Sequence, residues 1–89
     1  MNATIEISLY PLSEDYVKIV TDFILNVKKN KDIEVVTNGM STQLFGDFTK
    51  IMNILTIEIP QVWNELPAIF VVKIGNGLLK SEELPSELK

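Results

Sequence analysis

The side chains able to do chemistry in this chain are few and of a restricted kind. Histidine, cysteine and arginine are absent from its 89 residues. That removes the commonest general base, the thiol nucleophile, the thiolate and imidazole metal ligands, and any disulfide. The acidic residues are scattered and none has the spacing of a calcium loop, so no metal site and no cofactor are expected. What remains is Glu6 flanked by Thr4 and Ser8, the run Ser41-Thr42-Gln43 with Phe45 two residues on, and Lys73. Alternate residues of a strand share a face, so Glu6, Ser8, Ser41, Gln43, Phe45 and Lys73 are expected on one sheet surface. A carboxylate, hydroxyls, an amide and an aromatic wall suit a flat heteroaromatic ligand. The same residues also suit a solvated sheet face with a Glu6–Lys73 pair.

These groups need strands to hold them, and the hydropathy pattern supplies four. Ala3 to Tyr10 alternates, with Ile5, Ile7 and Leu9 on one side and Thr4, Glu6 and Ser8 on the other, the period of a half-buried strand. Pro11 stops the ladder. Ser13 is placed to cap a helix with Glu14 and Asp15 in its first turn, and Tyr16, Val17, Val20, Phe23, Ile24 and Val27 form its apolar stripe. Lys28, Lys29 and Lys31 fall at its C-terminal end, where positive charge complements the macrodipole.

Ile33 to Thr37 reads as a β-branched strand, and Asn38-Gly39 as a tight hairpin turn with positive φ at both residues. Such a turn pairs Thr37 with Met40, Val35 with Thr42 and Ile33 with Leu44, and puts those six residues on the core face. Asp47 then caps a second helix whose stripe is Phe48, Ile51, Met52, Leu55, Ile59, Val62, Trp63 and Leu66. Pro60 predicts a kink or break there, because it has no amide for the carbonyl of Thr56. Ala68 to Ile74 is the last strand, with Phe70, Val72 and Ile74 toward the core.

The order strand, helix, strand, strand, helix, strand is that of the α+β ferredoxin-like βαββαβ sandwich: a four-stranded antiparallel sheet with two helices on one face. One domain is expected over residues 1–78, followed by a flexible tail over residues 79–89. Eight lysines against twelve acidic residues give a net charge of −4. Without a basic face the electrostatic basis of nucleic-acid binding is missing, so nucleic acid is not an expected partner. No stretch approaches the ~18 consecutive apolar residues of a membrane span, and a cytoplasmic protein without membrane insertion is expected.

Three segments carry a resemblance to a known family. Glu6-Ile7-Ser8-Leu9-Tyr10-Pro11-Leu12, the run from Glu34 to Asp47 (EVVTNGMSTQLFGD) and the run from Phe70 to Gly77 (FVVKIGNG) resemble the YkoF-type family of thiamine- and hydroxymethylpyrimidine-binding proteins, related to the MTH1187-type domains. The likeness reaches to about Leu78, and its most specific part is Asn38 to Gly46. It implies a non-catalytic binder of thiamine or its hydroxymethylpyrimidine precursor, associated with vitamin supply or transport. On the matched positions it implies Glu6 as partner of the aminopyrimidine, Ser8, Ser41, Thr42 and Gln43 as further hydrogen-bonding groups, and Met40 and Phe45 as apolar walls. Better-known members carry two such domains in tandem, which implies a homodimer or higher homo-oligomer for this single domain. A regulatory small-molecule sensor or a structural oligomerisation domain is the alternative. An acylphosphatase-type hydrolase lacks its arginine here, and an RNA-recognition module lacks its basic face and paired aromatics.

Overall fold

In the computed structural model, which describes residues 1–89, the alternating N-terminal segment forms β1 (Asn2–Pro11). It is followed by α1 (Tyr16–Lys28), β2 (Glu34–Thr37), β3 (Thr42–Asp47), α2 (Phe48–Glu65) and β4 (Ala68–Asn76), and by single 3-10 turns at Ser81–Glu83 and Ser86–Leu88. The strands make one antiparallel sheet in the order β2-β3-β1-β4, so the two central strands are β1 and β3. This is the ferredoxin-like arrangement the element order implies.

Strand periodicity decides which side is covered. Ile5 and Ile7 of β1 and Leu44 of β3 meet Phe23 and Val27 of α1 and Ile51, Leu55 and Val62 of α2 in one cluster. Both helices therefore lie on one face, and Thr4, Glu6, Ser8, Gln43 and Phe45 take the other.

Several local expectations are corrected. Ser13 does not cap α1: its Oγ accepts from the Asp15 amide at 3.2 Å in a turn just before the helix, and Asp15 precedes Tyr16 without a side-chain cap. The hairpin is longer than Asn38-Gly39 requires. Thr37 pairs with Thr42, Val36 with Gln43, Val35 with Leu44 and Glu34 with Phe45, and no non-glycine residue has positive φ. The cause is the Asn38 side chain, whose Oδ1 accepts from the amides of Met40 at 2.8 Å and Ser41 at 3.0 Å. This Asx turn replaces the left-handed turn. The pairing shifts by two residues, and a shift of two keeps every side chain on its expected face. Met40 alone escapes: it stands at the loop tip, 86% exposed rather than in the core.

Helix α2 does not break at Pro60. Thr56 and Pro60 are both exposed, so water can reach the carbonyl that the proline leaves unbonded. Trp63 is not core either. It is 55% exposed, its indole N–H donates to the Ala68 carbonyl at 3.0 Å, and its ring meets Phe70 edge-on at 5.8 Å. Tyr16 and Val17 at the start of α1, and Val72 and Ile74 on edge strand β4, are likewise exposed.

Asp47 does cap α2, accepting from the Lys50 amide at 3.3 Å. Its carboxyl is held below the ordinary value, first by the hydrogen bond from the N-terminal ammonium and then by that amide. A lowered folded-state value means that the cap's contribution is present above the unfolded carboxyl's pKa and is lost as pH falls through the folded one. Asp47→Asn is therefore expected to melt at a lower temperature than the parent at pH 7. The gap should close as thermal unfolding is followed from about pH 5 to about pH 2.

Beyond β4 the backbone turns at Gly77, whose φ of +82° suits glycine. Its amide donates to the Asn2 carbonyl at 2.9 Å. Thr4 then fixes the following residues: its hydroxyl donates to the Gly77 carbonyl and accepts from the Leu79 amide, both at 2.8 Å.

Candidate functional site

Strand β1 outruns β3. Their pairing ends at Ile7↔Thr42, whereas β1 stays paired with β4 as far as Pro11↔Ala68. Ser8, Leu9 and Tyr10 therefore have a strand neighbour on one side only. The vacated side is framed by the hairpin loop and the N-terminal half of α1.

The result is a cleft of ≈ 340 Å³. Ile7 and Leu9 line it from β1 and Tyr16, Val17, Val20 and Ile24 from α1, while Thr37 to Thr42 form the hairpin side. No lysine, aspartate or glutamate is among its lining residues. Its polar groups are hydroxyls and one amide. Thr37 and Thr42 share a hydrogen bond between their hydroxyls at 3.1 Å. Asn38 uses its carbonyl oxygen on the loop amides, which leaves its NH₂ as the group able to donate to a guest.

Ser41 links this cleft to the open face. Its hydroxyl donates to Glu6 Oε2 at 3.1 Å, so its oxygen keeps a lone pair for a further donor. Glu6 lies opposite both Gln43 and Lys73 in the sheet, and its other oxygen is 3.7 Å from Lys73 Nζ. The pair that the strand phases imply is thus formed, with Ser41 as a third member.

Six of the seven residues singled out in the sequence fall into two groups. Ser8, Met40, Ser41 and Thr42 border the cleft. Gln43 and Phe45 instead border a second hollow of ≈ 390 Å³ on the opposite face, with Glu34, Leu79, Lys80 and Glu82. Glu6 borders neither and touches the first group through Ser41. Sequence reasoning missed Asn38, Tyr10, Tyr16, Val17 and Val20 as lining residues. The available signal was an apolar stripe on α1 that begins before the sheet can cover it. No three metal-ligating side chains converge anywhere in the chain, and no helix is long and apolar enough to cross a membrane.

Comparison with solved structures gives the same architecture. A hypothetical protein of Methanocaldococcus jannaschii aligns with a TM-score of 0.76 at 28% identity, over 98% of this chain and 92% of its own. A protein of Streptococcus pneumoniae gives 0.76 at 24% identity, over 91% and 92%. A Thermotoga maritima protein named for a provisional role in thiamine biosynthesis or salvage gives 0.83 at 16% identity, over the whole of both chains. At these last two identities the likeness shows the fold alone. No curated protein matches the sequence. The YKOF-related family, in contrast, matches residues 2–72, which contain the whole of the cleft and most of the sheet; the chain belongs to the YKOF-related family.

Proposed function

We propose that this chain is a non-catalytic cytoplasmic binding protein for thiamine or its hydroxymethylpyrimidine precursor, acting in vitamin supply or transport. The observation that carries the reading is the α1–hairpin cleft: mostly apolar, uncharged, and edged by an amide and several hydroxyls. A methylated aminopyrimidine is flat and apolar on its faces, with acceptor nitrogens and a donor amino group on its edge. The NH₂ of Asn38 can donate to a ring nitrogen and the Ser41 oxygen can accept from the amino group. Ser8 and Thr42 supply further hydroxyls, and Tyr16, Val20 and Met40 cover the ring faces. The cleft has no histidine, cysteine or lysine to act as base or nucleophile, in keeping with binding rather than turnover. The thiamine-related name of the Thermotoga maritima protein supports the choice of ligand.

In this reading Glu6 acts through Ser41 by fixing its hydroxyl. Calorimetric titration with hydroxymethylpyrimidine and thiamine tests it. Binding of neither compound would end the assignment. Ser41→Ala is expected to weaken binding by about 0.5–1.5 kcal/mol, the worth of one neutral hydrogen bond. Glu6→Gln should cost less, because its amide oxygen still accepts from Ser41. A direct Glu6–pyrimidine contact reverses that order, since a charge-assisted bond is worth about 1.5–3 kcal/mol.

The same protein is proposed to self-associate. Edge strand β4 leaves Ile69 and Val71 exposed on one face and Val72 and Ile74 on the other, and a long apolar edge is a pairing surface unless covered. Light scattering at micromolar concentration is expected to give a dimer or larger species, and Val71→Lys to shift it toward monomer. A parent that is monomeric throughout that range would remove this part.

A further inference from the structure

Phe45 points away from the helices, on the sheet face that the fold leaves open, yet it is only 4% exposed. Its cover is the segment after β4. Leu79, Lys80, Glu82 and Leu84 border the same hollow as Phe45, with Glu34, Val36 and Gln43 on the sheet side. Within this cover Lys80 Nζ lies 5.3 Å from the centre of the Phe45 ring and 3.0 Å from the Glu34 carboxylate, with its side chain 23% exposed. The chain's other side-chain ion pairs leave their lysines more than half exposed.

An aromatic face beside one carboxylate is what binds an organic ammonium. The ring's negative face attracts a diffuse cation and the carboxylate neutralises it. A hard metal ion is poorly served, because it needs several oxygens at once. Glu82, whose carboxyl is held low by its own backbone amide, adds a second negative charge to the wall, and Lys80 is the one cation there.

We propose that Phe45 and Glu34 form a binding seat for a small organic cation of the quaternary-ammonium class, filled in the free chain by the ammonium of Lys80. Lys80 is an internal stand-in for the ligand. The residue before it is pinned, since the Leu79 amide is bonded to Thr4. Lys80 can therefore leave the seat by rotating its side chain, while the strap stays docked. Its tether gives it an effective concentration in the millimolar range, so an outside cation must compete with it. The seat lies on the opposite side of the sheet from the α1–hairpin cleft and does not depend on the function proposed there.

The test is an NMR titration of the Phe45 ring and Leu79 amide with choline chloride, alongside the uncharged isostere 3,3-dimethylbutan-1-ol. Lys80→Ala, which removes the competitor, is expected to bind choline about tenfold more tightly than the parent. Glu34 also pairs with Lys80, so its role is read in the Lys80→Ala background, where adding Glu34→Gln is expected to weaken choline binding about threefold or more. The isostere should bind at least about tenfold more weakly than choline. The Leu79 amide reports whether the strap is still docked in each variant. The proposal is overturned if Lys80→Ala binds choline no better than the parent, if the isostere binds as well, or if the shifts bypass Phe45. A choline response of Lys80→Ala left unchanged by adding Glu34→Gln would equally remove the carboxylate from the seat.

Discussion

Leu44→Ala is expected to lower the unfolding free energy by about 2–5 kcal/mol, read as a fall in the urea midpoint at unchanged slope. Leu44 is 0% exposed. It sits on a central strand, opposite Ile5 on one side and Val35 on the other, and packs in the cluster where both helices meet the sheet. Alanine there loses the transfer free energy of the side chain and leaves a void that rigid neighbours cannot close. A domain of this length has a total stability of only about 4–13 kcal/mol, so the loss is a large share of the whole. A midpoint shift worth less than about 1 kcal/mol would show that the sheet and helices can collapse onto the gap.

Val20→Trp should have the largest effect on ligand binding. Val20 is half-buried on α1 and lines the cleft beside Tyr16, Val17 and Ile24. An indole in its place takes up a substantial part of ≈ 340 Å³ without entering the main cluster, which Val20 does not join. Calorimetry with hydroxymethylpyrimidine is expected to register a fall in affinity of at least about a hundredfold, ~2.7 kcal/mol. Far-UV circular dichroism and the thermal midpoint should stay close to the parent's. Retained affinity in a folded variant would move the ligand out of this cleft.

The sheet was legible in the sequence because period two survives errors of register. The hairpin shows this. Asn-Gly suggests a two-residue turn, but Asn38 spends its side chain on the loop amides, and the pairing moves by two positions while every strand residue stays on its expected face. Asp47 was legible as a cap because the position after a strand and before an apolar stripe leaves few other roles for a short carboxylate. Of the kink or break that Pro60 predicts, the break does not occur, because a missing hydrogen bond matters less on an exposed helical face than in a buried one.

The site was less legible, for a geometric reason. Periodicity says which face a residue takes but not where the opposing layer stops. Tyr16, Val17 and Val20 have the pattern of core residues, and they line the cleft because β3 begins only at Thr42 and leaves the stretch of β1 beyond Ile7 without a partner on that side. Phe45 was assigned to the open face correctly, yet no local signal announced that Lys80 would lie over it. That contact depends on Thr4 and Gly77, which are 73 positions apart.

The place of β1 in the sheet also sets the order in which the molecule can be built. Its partners are residues 42–47 on one side and 68–76 on the other. On the ribosome the first of these four strands to be made is therefore the last to be enclosed: one edge waits for the hairpin, and the other stays open until residues 68–76 have emerged. Pairings this distant in sequence close slowly and leave apolar strand exposed in the interval. A nascent chain stalled before Ala68 would hold Ile5 and Ile7 in a sheet whose central strand has become its edge, which is the form in which this protein would be most open to aggregation and to chaperones.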